Sequence, residues 1–256
     1  MTGEVKVERA GAVLTVTIDR PQRRNAMTPE MYGVVARACD AADYDPQIRV
    51  LVLRGGSRAF STGTDIGLFA GFDGGADGVA YEQSISRVVD RVEDVNVPTV
   101  AAIAGFCLGG GLLLAAACDL RIGTASARLG VPVSRTLGNC LSADSLSLLQ
   151  ARIGPGRALD VLLRGSVLSG EDGFQAGLLT HLCADESLDT VVGDTVRELL
   201  AAAPLTQWAT KELARRLRRA AIPSDEDVIA RVYGSEDFRA AVRAFGDKQP
   251  PAWNGR

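Results

Sequence analysis

TVAAIAGFCLGGGLLLAAACDL, Thr99–Leu120, is the segment from which the architecture of this chain can be worked out. It begins as an apolar run, reaches a glycine at Gly105, and continues through Gly109–Gly111 into small and aliphatic residues. This order predicts a buried strand, a turn and a helix that starts at glycine. The first N–H groups of a helix are unpaired and carry the positive end of its dipole. Glycines there let a ligand approach the backbone, so the segment predicts a site for a developing oxyanion, provided that a second N–H donor lies nearby.

The same segment also has features of a membrane helix. It carries no charge from Thr99 to Cys118, and Gly105 and Gly109 have the GxxxG spacing. We reject a membrane span because Pro98 precedes the segment, glycines interrupt it, and nothing else in the chain is similarly apolar.

Composition limits the classes of protein that this chain can belong to. The chain has 256 residues, is 46% hydrophobic and carries a formal net charge of −3. Its pI is about 5.3 and its mean hydropathy is +0.10. These values predict one sizeable core and exclude a strong attraction to nucleic acid or to an anionic membrane.

Histidine and cysteine usage narrows the chemistry. The single histidine, His181, excludes HExxH zinc sites and histidine-rich metal sites, and its context predicts a structural role. The five cysteines are scattered without a CxxC pair, as in buried free thiols of a reducing compartment. No signal peptide is recognised at Met1–Glu4, so we expect a cytoplasmic protein without a metal.

Strand and helix patterns alternate along the first part of the chain, which predicts an α/β fold with parallel strands. The glycine-rich segment Gly71–Gly78 is expected to be mobile, with a helix from Val79 to Val95. From about Ser142 onward the pattern is almost entirely helical. The basic run Lys211–Arg219 is interpreted as a solvated helix face, with phosphate or acyl-carrier contact as the alternative.

Several segments, taken in order over nearly the whole chain, resemble the crotonase superfamily of enoyl-CoA hydratases and isomerases. The segments are Asp19–Pro21 with Asn25–Met27, Arg58–Ile66, Pro98–Gly111, Ala117–Ile122, Leu163–Ser169 with Ala176–Leu178, Ala209–Glu212, and Ser235–Arg239 with Phe245–Arg256. The resemblance implies a spiral of ββα units over 1–195 and a C-terminal helical oligomerisation region over 196–256. It also implies a homotrimer, or a hexamer formed by two trimers.

The ligand implied by this resemblance is a coenzyme A thioester, with no tightly bound cofactor. The family's two oxyanion-hole N–H groups fall on Thr64 and Gly110. The family usually has alanine at the position of Thr64, whose larger side chain could narrow the site. Backbone groups around Thr62, Thr64 and Ile66 would meet the adenine. The remaining candidate CoA contacts, some of which reach a neighbouring subunit's ligand, are Arg23, Arg24, Arg58, Phe245 and Lys248.

The sequence departs from the resemblance at the two positions where hydratases of the family carry glutamate. These positions are occupied by Leu113 and Val133. Water addition to a conjugated double bond needs a base and an acid, and neither side chain can be one. Some members of the family place an acid at a later position, which falls near Leu141 here. Leu141 and its polar or reactive neighbours Asn139 and Cys140 are therefore assigned to the active-site lining, and Asp144 is interpreted as a helix N-terminal charge.

Three functions are therefore considered. The first is an enzyme of isomerase or lyase type that forms an enolate of an acyl-CoA or enoyl-CoA, as in fatty acid metabolism. The second is a non-catalytic acyl-CoA binding protein. The third is a hydratase that uses different acid and base residues, because fold analogy alone does not fix the reaction.

Overall fold

The computed structural model describes residues 4–251 and 253–255. Its strands are β1 (Glu4–Ala10), β2 (Val13–Asp19), β3 (Val50–Arg54), β4 (Ala59–Ser61), β5 (Thr99–Ile103), β6 (Phe106–Leu108), β7 (Leu120–Thr124), β8 (Arg128–Gly130), β9 (Val167–Ser169) and β10 (His181–Cys183). Its helices are α1 (Pro29–Tyr44), α2 (Gly75–Glu93), α3 (Gly110–Ala117), α4 (Ala143–Ile153), α5 (Pro155–Arg164), α6 (Gly170–Gln175), α7 (Leu188–Ala201), α8 (Pro204–Arg219), α9 (Glu226–Tyr233) and α10 (Glu236–Gly246).

The strands form two sheets that are built by repetition of one unit. The larger sheet has the order β1-β2-β3-β5-β7-β10 and the smaller one the order β4-β6-β8-β9. Each of β3, β5 and β7 lies in the larger sheet, continues into a short strand of the smaller sheet, and is followed by a helix. The resulting units are β3-β4-α2, β5-β6-α3 and β7-β8-α4, so the predicted α/β fold with ββα units is confirmed.

The Thr99–Leu120 segment divides as predicted. All five residues of β5 are buried, and β6 and α3 follow it. Gly105, at φ +60°, makes the turn between the two strands, and a Cβ there would lie 2.1 Å from the carbonyl oxygen of Arg58. Only glycine permits both the backbone conformation and this close approach. Among the described residues, no helix is long and apolar enough to cross a membrane.

The C-terminal helices fold back over the start of α2. Helix α9 packs along α2, and α10 contacts the 3₁₀ helix Ile66–Gly71. Rings meet at this junction: the Tyr233 and Phe238 centroids are 4.8 Å apart, and those of Phe69 and Tyr81 are 4.9 Å apart. The glycine-rich segment enters this packing, because α2 begins at Gly75, four residues before the predicted start.

The basic run does not form a solvated face. Arg218 is only 7% exposed in its side chain and pairs with Glu93, which is 9% exposed, and with Asp144. Arg219 pairs with Asp90, and Lys211 pairs with Asp119. The run therefore ties α8 to α2, to α4 and to the connection between α3 and β7, and Asp144 has a cationic partner as well as its place in the first turn of α4.

Two further sequence expectations concern boundaries. The predicted division between 1–195 and 196–256 falls inside α7, Leu188–Ala201. The strand β9 interrupts the part of the chain that was expected to be helical after Ser142, because it adds antiparallel to β8 at the end of the smaller sheet.

His181 begins β10, as its context suggested, and its side chain is exposed.

Candidate active site

A cavity of about 560 Å³ opens between the loop after β4, the start of α3 and the inner face of α2. Its wall gathers most of the site residues that the sequence predicted. These are Arg23, Arg24, Thr62, Thr64, Ile66, Gly110, Leu113, Val133, Asn139, Leu141 and Phe245. Because they come from distant parts of the chain, the fold itself assembles the site.

The loop after β4 pairs with the segment around Met27, and this pairing turns the N–H of Thr64 away from that segment. The Met27 N–H donates to the Gly63 carbonyl oxygen at 2.8 Å, and the Asp65 N–H donates to the Met27 carbonyl oxygen at 2.9 Å. Met27 and Thr64 thus form an isolated parallel bridge. Backbone groups alternate in direction along an extended chain, so the Thr64 N–H points to the opposite side.

The second N–H belongs to Gly110, the first residue of α3. Gly109, at φ +54°, precedes the helix, and the Leu113 N–H makes a bond of 3.2 Å to its carbonyl oxygen. Within the described residues, neither the Gly110 N–H nor the Thr64 N–H has a hydrogen-bond acceptor.

The two loops touch at Gly63. A Cβ at Gly63 would lie 2.8 Å from the Gly110 nitrogen, so glycine at this position keeps the Gly110 N–H uncovered. Two unpaired donors on adjacent loops of one cavity are the arrangement that stabilises charge developing on a carbonyl oxygen.

The side chain of Thr64 is held by the hydroxyl groups of two tyrosines. Its hydroxyl lies 2.8 Å from the Tyr81 hydroxyl and 3.1 Å from that of Tyr32. The same three residues line a second cavity of about 190 Å³ between α1 and α2. The hydroxyl chain therefore stands at the boundary between the two cavities.

The two positions where the resemblance implied glutamate are apolar parts of the wall. Leu113 is 2% exposed and lies on α3, and Val133 begins a 3₁₀ turn after β8. Both face the cavity, which leaves this part of the wall without an acid or a base.

A carboxyl group that the sequence reasoning missed lies elsewhere in the wall, on α2. Glu82 is 3% exposed and lines the cavity. The Tyr233 hydroxyl donates to its Oε1 at 2.5 Å, and the Asn139 Nδ2 donates to the Tyr233 oxygen at 3.0 Å. Burial raises the pKa of Glu82 to about 7, although the hydrogen bonds from Tyr233 and the Ser142 backbone lower it.

The sequence did contain a signal for Glu82. The buried residues of α2 are Gly78, Glu82, Ile85, Val89 and Val92, which recur at the three- and four-residue spacing of one helix face. A glutamate on such a face is unusual enough to mark a candidate site, since buried carboxyl groups are normally paired.

Asp65 is the other carboxyl group in the wall, but it has a structural role. Its side chain caps the 3₁₀ helix that follows and lies 2.6 Å from the Arg20 guanidinium. Although burial opposes ionisation, the hydrogen bonds from Arg20 and the Gly67 N–H lower the pKa of Asp65. Asp65 is therefore held as a carboxylate.

Some of the predicted CoA contacts lie in the cavity wall and others lie outside it. Arg23, Thr62, Ile66 and Phe245 lie in the cavity wall, as does Arg24, whose guanidinium is 5.3 Å from the centroid of the Phe106 ring.

Three predicted site residues are not among those that form the wall. Arg58 is exposed on the approach to β4, Lys248 follows α10, and Cys140 packs against the aromatic cluster around Phe69. Burial raises the pKa of Cys140 to about 12, so this cysteine is a protonated thiol at neutral pH. In the described part of the chain, no three His, Cys, Asp or Glu side chains gather in a way that could hold a metal ion.

Fold and site together define a protein of the crotonase class, with ββα units and a backbone N–H pair at a cavity. Comparison with known proteins agrees: the family model described as enoyl-CoA hydratase/isomerase matches residues 8–256. The chain belongs to this family.

Individual relatives are distant in sequence and similar over their full length. The 2,3-dehydroadipyl-CoA hydratase of Escherichia coli is 27% identical, with 99% of each chain covered. The crystal structure of an enoyl-CoA hydratase/carnithine racemase from Magnetospirillum magneticum is 30% identical with a TM-score of 0.81, covering 98% of this chain and 96% of that one. A methylmalonyl-CoA decarboxylase complex has a TM-score of 0.90 at 23% identity, covering 98% of each chain, and shows the shared fold.

Proposed function

We propose that the protein is an enzyme that binds an acyl-CoA or enoyl-CoA thioester and forms its enolate, as an isomerase or lyase does. The observation that carries this proposal is the pair of unpaired N–H groups of Thr64 and Gly110 at one cavity. As a proton or a carbon substituent leaves the α-carbon, negative charge moves onto the thioester oxygen. Two fixed donors lower the energy of that charge more than that of the neutral carbonyl.

The rest of the cavity is consistent with this ligand. Arg23 and Arg24 lie in the cavity wall, where they can attract phosphate groups of CoA, and Phe245 lines the same cavity. Backbone groups near Thr62 and Ile66 are proposed to meet the adenine. The apolar surface of Leu113 and Val133 is proposed to receive the acyl chain.

Arg58 and Lys248 are proposed to reach a CoA molecule only from outside this cavity, in an assembly of several copies. We propose a homotrimer or a pair of trimers, without a tightly bound cofactor. The five free cysteines are typical of a cytoplasmic protein, which is the proposed location.

The test is mass spectrometry of a panel of acyl-CoA and enoyl-CoA thioesters incubated with the protein in D₂O. Deuterium uptake at carbon is expected, with or without a shift of a double bond. Gain of one water would instead indicate a hydratase, the activity named for the Escherichia coli relative. Binding without any change of ligand would indicate a non-catalytic acyl-CoA binding protein.

A matched pair of variants tests the N–H of Gly110 itself. A Cβ at Gly110 would lie 2.4 Å from the Tyr32 hydroxyl oxygen but 3.5 Å from its ring carbon, so Tyr32→Phe makes room for it. In that background, Gly110→Ala keeps the N–H, whereas Gly110→Pro removes it at a helix position that proline tolerates. We expect the proline variant to be slower than the alanine variant by about 10²–10³-fold. Equal rates would show that this N–H does not contact the reacting carbonyl.

A further inference from the structure

Glu82 is buried at the cavity wall without a cation. No Lys, Arg or His within the described residues forms an ion pair with it, while its helix-face neighbours are Gly78 and Ile85. Burial of a carboxyl group costs free energy that an apolar residue at the same position would avoid. Its position on the cavity wall is one at which such a group can meet a bound ligand.

The groups around Glu82 hold it in one orientation. The Tyr233 hydroxyl reaches it from α9, and Asn139 in turn donates to Tyr233. The Oδ1 of Asn139 is buried and has no hydrogen-bond partner among the described residues. Because Asn139 also lines the cavity, its unpaired oxygen is available to a polar group of a ligand or to a water molecule.

We propose that Glu82 is the catalytic acid and base of this site, and that Tyr233 and Asn139 are positioning residues. This inference rests on the proposed function, because it requires a thioester whose oxygen is bound by the N–H groups of Thr64 and Gly110. The Glu82 carboxylate takes a proton from the α-carbon, and the electron pair of the C–H bond moves through the enolate to the thioester oxygen. The protonated Glu82 then returns the proton to the α-carbon, or to the γ-carbon when the substrate has a β,γ double bond. Return to the γ-carbon moves the double bond into conjugation, and no oxidant or second substrate is consumed.

The acidity of Glu82 suits such a step. A group whose pKa is about 7 exists in both forms near neutral pH, so it can accept and return a proton. The ionisable groups that influence it from the surrounding elements are Tyr32, Tyr81, Cys140, Asp225 and Tyr233. The pKa values of the tyrosines and of Cys140 are raised, so these groups remain neutral while Glu82 titrates.

The experiment follows deuterium uptake and double-bond shift of 3-butenoyl-CoA in D₂O, with binding of butanoyl-CoA measured by calorimetry on the same samples. Glu82→Gln keeps the acceptor for Tyr233 and is expected to slow exchange at least about 100-fold with binding retained. Glu82→Asp is expected to recover part of the rate. The matched control is Glu226→Gln, which alters an exposed glutamate on α9 and is expected to leave the rate unchanged.

The pH profile separates proton transfer from a structural role. The exchange rate of the natural protein is expected to rise through an inflection near pH 7, and the residual rate of Glu82→Gln is expected to lack it. The Tyr233 hydrogen bond lowers the pKa of Glu82, so Tyr233→Phe is expected to move the inflection to higher pH.

The possible failures are distinguishable. If the natural protein exchanges and Glu82→Gln does so equally well, the role of Glu82 is refuted while the proposed function stands. If the natural protein neither binds butanoyl-CoA nor changes 3-butenoyl-CoA, the proposed function fails and this inference fails with it. Binding without exchange would indicate an acyl-CoA binding protein and would also overturn the role of Glu82.

Discussion

At the scale of single residues, Glu82 combines a proposed chemical role with a cost in stability. Its pKa is about 7 in the folded protein, compared with an ordinary value of 4.5 that applies when the chain is unfolded. As the pH rises between these values, the unfolded chain releases this proton first. The contribution of Glu82 to folding is therefore fully present below pH 4.5 and is lost as the pH rises toward 7.

Because the natural protein loses this contribution as the pH rises, a prediction follows for Glu82→Gln, whose side chain cannot titrate. Its free energy of unfolding, relative to the natural protein, is expected to increase by on the order of 2–3 kcal/mol between pH 5 and pH 8. Urea denaturation at the two pH values measures the difference, with Glu226→Gln as the matched substitution of an exposed glutamate. A relative stability that does not change with pH would mean that Glu82 is solvated or paired in solution.

At the scale of elements, the contact between α2 and α9 positions Glu82 and Tyr233 against each other. Gly78 lies one turn before Glu82, and a Cβ there would lie 2.2 Å from the Tyr233 Cβ. A Cβ at Gly75 would lie 2.1 Å from the Ala230 carbonyl oxygen. The glycines are thus needed for close packing of two helices, whereas the sequence alone suggested a mobile loop.

We therefore predict that Gly78→Ala forces α9 away from α2. It is expected to lower the free energy of unfolding by about 1–2 kcal/mol, because overpacking outweighs the gain in helix propensity. The matched control is Gly193→Ala in α7, where a Cβ would meet nothing within 4 Å and a small gain of stability is expected. Thermal or urea denaturation of both variants makes the comparison, and equal stability of the two would refute the close contact.

The contact between α2 and α9 also shows why only part of the site could be predicted: local motifs are visible in the sequence, and contacts between distant segments are not. The Gly109–Gly111 run itself indicated a site at a helix start, whereas Thr64 was assigned only through the resemblance to the crotonase family. The hydrogen bond between Tyr233 and Glu82 joins residues 151 positions apart, and no local pattern indicates it. Glu82 itself was detectable from the helix periodicity of α2, but its partners were not. Lys211–Arg219 was misinterpreted for the same reason, since the acidic partners of Lys211, Arg218 and Arg219 lie outside α8.

At the scale of the whole molecule, the C-terminal region has two different kinds of surface. In α9 and α10, Ile229, Tyr233 and Phe238 are buried against the chain's own aromatic cluster. Helix α8, by contrast, exposes Leu213 and Leu217, at 60% and 80%, one turn apart. Only part of the predicted oligomerisation region is therefore available to a second copy. Exposed leucines on a helix that is otherwise held by ion pairs are typical of a surface that another subunit covers.

The proposed trimer makes this surface testable. Light scattering after size-exclusion chromatography is expected to give three times the chain mass of 26.9 kDa, or six times if two trimers associate. Leu213→Lys combined with Leu217→Lys is expected to give monomers that keep their helical content, because burial of two lysines in an apolar contact is unfavourable. The control is Val7→Lys, which places the same charge on the exposed edge strand β1 and should leave the assembly intact. A double variant that remains trimeric would place the subunit contact elsewhere. A natural protein that is monomeric would refute the trimer. Arg58 and Lys248 would then have no route to a neighbouring subunit's ligand.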